Sequence, residues 1–265
     1  MKVVLFCGGM GMRLKEYSDA IPNPLVPIGP RPILWNLMKY YAHYGHKDFI
    51  LCLGYQGEAI KNYFLNYEET ISNDFVLSGG GRHVELKHRD IEDWTITFAE
   101  TGLRSNIGQR LKAVEHYLEG EEVFLANYAD GVTDLPLPDA IAHFHAKQAI
   151  ASFVAVKPSQ TFDIVRLREG DAVEALEHAT EAGIWVNAGF FTLRQEIFRY
   201  LHEGDELVYA PFQRLIKEGR LYSYRYPGFF LAMDTFKEKQ MIDEMAAQGN
   251  APWEVWKAGT DRGAA

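Results

Sequence analysis

The chain has 265 residues, 47% of them hydrophobic and 24% charged, a composition that excludes a disordered protein and supplies ample material for a core. A net charge of −9 argues against a partner made of nucleic acid, because a protein that coats phosphates is usually basic. With only two cysteines a disulfide scaffold is excluded, and no apolar stretch approaches the ~20 residues of a membrane span.

The first residues run straight into a strand, with no basic leader or cleavage site, so the protein is expected in the cytoplasm. Residues 3–7 (VVLFC) are short, β-branched and uncharged, as in a buried strand. A glycine-rich loop follows, with Gly8, Gly9 and Gly11 ahead of Arg13. Pro32, the apolar positions Ile33, Leu34, Leu37, Met38 and Tyr41, and Gly45 mark a helix with its start and stop. Residues 49–54 read as the next strand and 58–64 as a helix. Residues 73–101 form a stretch richer in glycine and charge, with Gly79, Gly80 and Gly81 at a loop tip and 94–98 alternating like a strand. A helix over 109–118 and a strand over 123–127 complete the first half. The second half adds strands at 151–156, 185–193 and 221–226 and a C-terminal helix over 236–247.

Alternation of strand and helix predicts an α/β fold with a doubly wound, mostly parallel mixed sheet carrying small β-rich inserts. No linker divides the chain, so one domain over 1–265 is expected, with a first half over about 1–135 and a second over about 136–265. Cys7 and Cys52, each in an apolar run, read as buried thiols in neighbouring strands. Ligands of such sheets gather beyond the C-terminal strand ends.

The glycine loop is placed at such an end. Without Cβ atoms its backbone N–H groups can approach a ligand closely, and Arg13 adds a fork of donors suited to phosphate. It is not a Walker A loop, which needs Gly-Lys-Ser/Thr, and it lacks the third glycine of a dinucleotide fingerprint, which disfavours a nicotinamide cofactor. Asp130, in NYADGVTD, also follows a strand, and Asp234 follows the apolar run FFLAM. A carboxylate beside phosphates can hold a hard divalent cation such as Mg²⁺. The same two residues also suit a turn and the cap of the following helix, and spacing does not decide between these readings. His143 and His145, two apart on a predicted helix, point in different directions and do not make a metal pair.

The ordered blocks GGMGMRL, PNPLVPIGPRPILW, ILCLGYQG, WTITFAETG, GQRLKAV, NYADGVTD, VNAGFF, PGFFLAMDT and APWEVW span almost the whole chain. In these the chain resembles the sugar-1-phosphate nucleotidyltransferases, most closely those that use CTP and glucose 1-phosphate. The resemblance implies a Rossmann-like α/β core and Mg²⁺-dependent transfer of a nucleotidyl group from an NTP to a sugar 1-phosphate, releasing pyrophosphate. It implies that Gly8, Gly9, Gly11 and Arg13 clasp the triphosphate, that Thr101, Gly102, Gly108 and Arg110 line the nucleotide side, and that Asp130 and Asp234 bind Mg²⁺. It also implies that Glu177, His178, Asn187 and Gly189 shape the sugar-phosphate pocket, with Arg13, Asp130 and Asn23 at the reacting phosphates. A homo-oligomer with no nucleic-acid or membrane partner is implied as well.

Asn23 and His178 stand where the family usually carries lysine, and Met12 replaces the commoner threonine. Compensating cations are sought in Lys15, Arg31 and Lys157. An active enzyme is favoured, with a nucleotide- or sugar-phosphate-binding relative of little turnover as the alternative.

Overall fold

The computed structural model describes residues 1–9, 21–159 and 162–257. Its core is an eight-stranded mixed sheet. The strands are β1 (Val3–Phe6), β2 (Asp48–Leu53), β3 (Thr95–Glu100), β4 (Val123–Tyr128), β6 (Ala151–Val156), β9 (Val186–Asn187), β10 (Phe191–Arg194) and β11 (Leu221–Tyr226). Across the sheet they run β11, β6, the β9–β10 line, β4, β1, β2 and β3. All adjacent pairs are parallel except those made by β9 and β10. The doubly wound mixed sheet expected from the alternation is therefore what the chain forms.

Short two-stranded ladders stand off this sheet, and two of them bear on the site. These are β5 (Gly131–Thr133), paired with β12 (Phe230–Ala232), and the hairpin β7 (Asp163–Leu167) with β8 (Val173–His178). Six α-helices occur among the described residues: α1 (Ile33–His43), α2 (Gly57–Leu65), α3 (Ile107–Ala113), α4 (Leu137–Ala146), α5 (Ala210–Lys217) and α6 (Phe236–Ala247). None is long and apolar enough to cross a membrane.

The sequence pattern explains the layering. β1 is buried at every position because both of its faces are covered, and its alternate side chains feed two different cores. Val3 and Leu5 pack with α1 and α4 residues such as Leu37, Tyr41 and Leu137. Val4 and Phe6 pack on the other face with Leu111, Leu118 and Phe212. The α1 helix follows Pro32 and ends where Gly45 takes φ +85°.

Three element readings need correction. The helix expected over 109–118 runs Ile107–Ala113 and then tightens into a 3₁₀ turn, Glu115–Leu118. An Asn106–Gln109 capping box starts it earlier than periodicity suggests. Leu111, Val114 and Leu118 keep one apolar stripe through the change of helix type, which is why the two pieces read as one. The segment at 94–98 belongs to β3, at the edge of the main sheet and in parallel register with β2, rather than to a separate insert. The strand expected over 185–193 is split into β9 and β10 by Gly189 at φ +77° and Phe190 at φ +47°.

The glycine-rich stretch before β3 does form a hairpin, Phe75–Ser78 with His83–Leu86. A polar network anchors it. Arg31 donates to Ser72 Oγ (2.8 Å), Tyr63 Oη (3.3 Å) and the Glu68 carbonyl (2.7 Å), and its guanidinium lies 4.0 Å from the Tyr67 ring centre. Ser72 and Asn73 donate in turn to Asp90, which pairs with Lys39 of α1 at 2.9 Å. Burial pulls the Asp90 pKa upward, but Lys39, Ser72 and Asn73 hold it net below the usual carboxylate value.

A carboxyl with a depressed folded pKa stabilises fully above its unfolded pKa of ~3.9 and loses that contribution as pH falls through the folded value. Asp90→Ala strands four donors, from Lys39, Tyr67, Ser72 and Asn73, and is expected to cost about 2–3 kcal/mol in urea unfolding at pH 7. Asp90→Asn should lose the wild-type weakening between pH 4 and lower values. Wild-type stability in both variants would show the network to be ornamental.

Candidate active site

The parallel strands point their C-terminal ends to one edge of the sheet. Gly8 follows β1, Gly54 follows β2, Thr101 follows β3 and Asp130 follows β4. Lys157 follows β6 and Pro227 follows β11. Asn187 and Gly189 reach the same edge because β9 and β10 run antiparallel to β4 and β6. The chain thus gathers most of the chemistry-bearing positions where an open α/β sheet binds ligands. Gly11 and Arg13 lie outside the described residues, as does Lys15.

Arg110 ties three of these strand ends together from within. It is buried, and its guanidinium donates to the carbonyls of Gly8 (2.6 Å), Leu53 (2.9 Å) and Gly102 (2.9 Å) and to Thr101 Oγ1 (2.7 Å). Thr101 Oγ1 in turn donates to the Leu53 carbonyl at 2.7 Å. The glycines make room for this fork. A Cβ on Gly8 would lie 2.2 Å from Arg110 Nη1, and one on Gly54 would lie 2.9 Å from it. Gly9 is different, since a Cβ there meets nothing within 4 Å. Gly8 therefore accommodates the arginine, whereas a Cβ at Gly9 meets none of the described residues. Arg110 and Thr101 act here by shaping the loop; their bonds are to protein groups.

Gly108, in the first turn of α3, packs against backbone, and a Cβ would lie 2.2 Å from the Asp205 carbonyl oxygen. Gly108→Ala is expected to separate α3 from that segment and cost about 2–3 kcal/mol, read as a lowered melting temperature. An unchanged melting temperature would mean the contact relaxes freely.

Asp130 and Asp234 come from distant parts of the chain. The β5–β12 ladder pairs Ala232 with Gly131, and the Met233 N–H donates to the Asp130 carbonyl at 2.8 Å. Asp234 is the next residue, so the ladder brings the backbones of the two acids together. Thr235, rather than Asp234, caps α6, in a capping box with Glu238. The helix-cap reading of Asp234 is thereby removed. Asn23 opens a 3₁₀ turn, Asn23–Leu25, with its Oδ1 buried and unpartnered. Val26, just beyond, packs with Val132, Leu231 and Met233, which brings this turn to the same acid-bearing ladder. Carboxylates brought together beside phosphates can hold a hard divalent cation that completes its shell with phosphate oxygens and water. Among the described residues no cluster of three or more His, Cys, Asp or Glu side chains is placed to hold a metal.

The break between β9 and β10 sits opposite the end of β4. Asn127 Oδ1 accepts from the Phe190 N–H (2.9 Å) and the Tyr128 N–H (2.9 Å), filling the gap the bend creates. Asn187 Oδ1 accepts from the Gly189 N–H at 2.8 Å. A Cβ on Gly189 would lie 2.3 Å from Asn127 Oδ1. Positive φ at a bulky residue such as Phe190 is strained backbone held in place by these bonds. Tyr128 is pushed up to about 12, first by burial and then by Glu206 and Asp130, so its phenol stays protonated.

Glu177 and His178 lie on the β7–β8 hairpin. Glu177 accepts from Arg166 Nε at 3.3 Å, and His178 Nδ1 is 2.8 Å from Thr180 Oγ1. Among the described residues no hydrogen bond or ion pair joins this pair to the strand-end groups. Cys7 and Cys52 are free and buried on neighbouring strands, with the Cys7 N–H donating to the Cys52 carbonyl at 3.0 Å. Burial pushes both thiols up, Cys52 to about 12, so neither serves as a nucleophile.

Sequence reasoning missed the hub role of Arg110 because a buried arginine and a ligand-facing one read alike in a helix. Residues 2–225 match the family described as nucleotidyl transferase. The glucose-1-phosphate cytidylyltransferase of Salmonella typhimurium (strain LT2) is 36% identical over 258 residues, covering 97% of this chain and all of the relative. A mannose-1-phosphate guanyltransferase of Pichia angusta is 25% identical over 92% of this chain and 63% of its own length. A UDP-glucose pyrophosphorylase solved with UDP-glucose superposes with a TM-score of 0.67 over 94% of this chain and 98% of its own, at 14% identity, a likeness of fold. The chain belongs to the nucleotidyl transferase family, among its sugar-1-phosphate nucleotidyltransferases.

Proposed function

We propose that the protein transfers CMP from CTP to glucose 1-phosphate, with Mg²⁺, giving the nucleotide sugar and pyrophosphate. The observation that carries the reading is the convergence of the Gly8–Gly9 loop with Asp130 and Asp234 at one sheet edge, in a chain 36% identical to a glucose-1-phosphate cytidylyltransferase. An oxygen of the sugar phosphate attacks the α-phosphorus, a new P–O bond forms, and the α–β bridging P–O bond breaks as pyrophosphate leaves. That oxygen is already anionic, so no general base is required, which suits a site without a nucleophile–histidine pair. The chemical need is to align two anions and to balance the charge that develops.

Asp130 and Asp234 would hold the cation, which supplies charge neutralisation beside the phosphates. Gly8 and Gly9 would offer backbone to the triphosphate, over the platform that Arg110 fixes. Initial rates of pyrophosphate release with each of the four NTPs and a panel of sugar 1-phosphates test the specificity. CTP with glucose 1-phosphate is expected to give the highest kcat/KM; a higher value for another pair would keep the reaction and replace the substrates.

A further inference from the structure

Of the cations sought to replace the missing lysines, Arg31 is committed to the hairpin network and Lys15 lies outside the described residues. Lys157 is placed otherwise. Its Nζ lies 4.7 Å from the centre of the Trp185 ring, and the Arg225 guanidinium carbon lies 5.8 Å from the same ring. Strand register puts these groups on one face. Ala155 of β6 is in register with Asn187 of β9 on one side and Arg225 of β11 on the other. Residues in register share a face, and so do residues two apart, so Lys157, Trp185, Asn187 and Arg225 form one patch. Val156, Val186 and Tyr226 alternate to the opposite face and pack in the α1-side core.

The patch is built like a receptor for an anion on an apolar ring. Neither Lys157 nor Arg225 has a carboxylate partner among the described residues. Two like charges drawn to one ring repel each other unless an anion joins them. This happens in a chain whose net charge is −9, so an unpaired pair of cations is against the general trend of the surface. Trp185 is 37% exposed, leaving ring surface for a ligand. The patch also adjoins the site. Trp185 precedes Asn187 by about 7 Å of strand. Asn187 accepts from the N–H of Gly189, which abuts Tyr128 at the end of β4.

Resting on the proposed reaction, we infer that Lys157 and Arg225, arranged about Trp185, bind the phosphate of the sugar 1-phosphate and replace the charge that the family places at positions 23 and 178. The guanidinium and ammonium donate to phosphate oxygens, and the indole covers an apolar face of the sugar. The cations bind and position the attacking phosphate; the bonds made and broken are those already given.

The test uses Lys157→Met, Arg225→Met and the double variant, with melting temperature as the check on folding. Each single change is expected to raise KM for glucose 1-phosphate about tenfold, and the double about a hundredfold, with KM for CTP unchanged. Calorimetry with glucose 1-phosphate alone separates this inference from the reaction it rests on. If the wild type binds the sugar phosphate without turnover and the folded double variant does not bind it, the patch stands and the proposed reaction falls. A folded double variant whose KM and binding for glucose 1-phosphate stay within twofold of wild type overturns the inference. A rise in KM for CTP alone also overturns it, by assigning the patch to the nucleotide. Free glucose should bind equally weakly to wild type and double variant, since the lost contact is to phosphate.

Discussion

Asp130→Asn and Asp234→Asn are each expected to lower kcat for pyrophosphate release by about a thousandfold, the order seen when a principal electrostatic group of a transfer reaction is lost. Both substitutions keep size, replace one acceptor oxygen with an NH₂ donor and remove the charge that would hold the cation. The backbone bond from Met233 to the Asp130 carbonyl does not depend on either side chain, so the ladder should survive. Melting temperatures close to wild type, with activity lost in both variants, would identify the acids as functional. Addition of EDTA to the wild type should reproduce the same loss. Retention of a tenth or more of wild-type kcat in Asp130→Asn would remove this residue from the site.

The second large effect is on Arg110, and it has a different form. Arg110→Met removes the donors to the Gly8 and Gly102 carbonyls and to Thr101 Oγ1 in a buried setting. The Leu53 carbonyl is spared, since the Thr101 N–H (3.1 Å) and Oγ1 (2.7 Å) also reach it. Stranding the other acceptors costs about 3–5 kcal/mol, or roughly a 10 °C fall in melting temperature for a chain of this size. Activity should fall with it, because the loop after β1 loses its support. Arg110→Lys keeps the charge, yet one ammonium cannot span acceptors on three loops, so only part of the stability should return. Wild-type stability in Arg110→Met would show that the loops hold each other without the hub.

Much of the fold was legible because the parallel strands advertise themselves. Residues 3–7 and 49–54 are apolar runs buried on both faces, and Gly45 and Pro32 mark helix limits by backbone chemistry alone. The β7–β8 hairpin was not legible. β8 reads VEALEH, a sequence with helix-favouring glutamates, alanine and leucine, and only pairing with β7 makes it a strand. The β5–β12 ladder escaped for another reason: three-residue strands carry no period, and their partnership is visible only in space. That ladder is also what places Asp234 beside Asp130, so the strongest geometric statement about the site was the one spacing could not make. The β9–β10 break depended on Asn127, whose side chain bonds to backbone far along the chain. Gly189 in the sequence hinted at it, but a lone glycine in a strand has several meanings.

Phosphorus NMR of a single reaction containing CTP, glucose 1-phosphate and Mg²⁺ tests the central claim most directly. Pyrophosphate and a nucleoside diphosphate sugar are expected to appear together in equal amounts, and only when both substrates and the metal are present. Persistence of both substrates unchanged at high enzyme concentration, with ligand binding intact by calorimetry, would contradict it and leave a sugar-phosphate-binding protein built on a transferase frame.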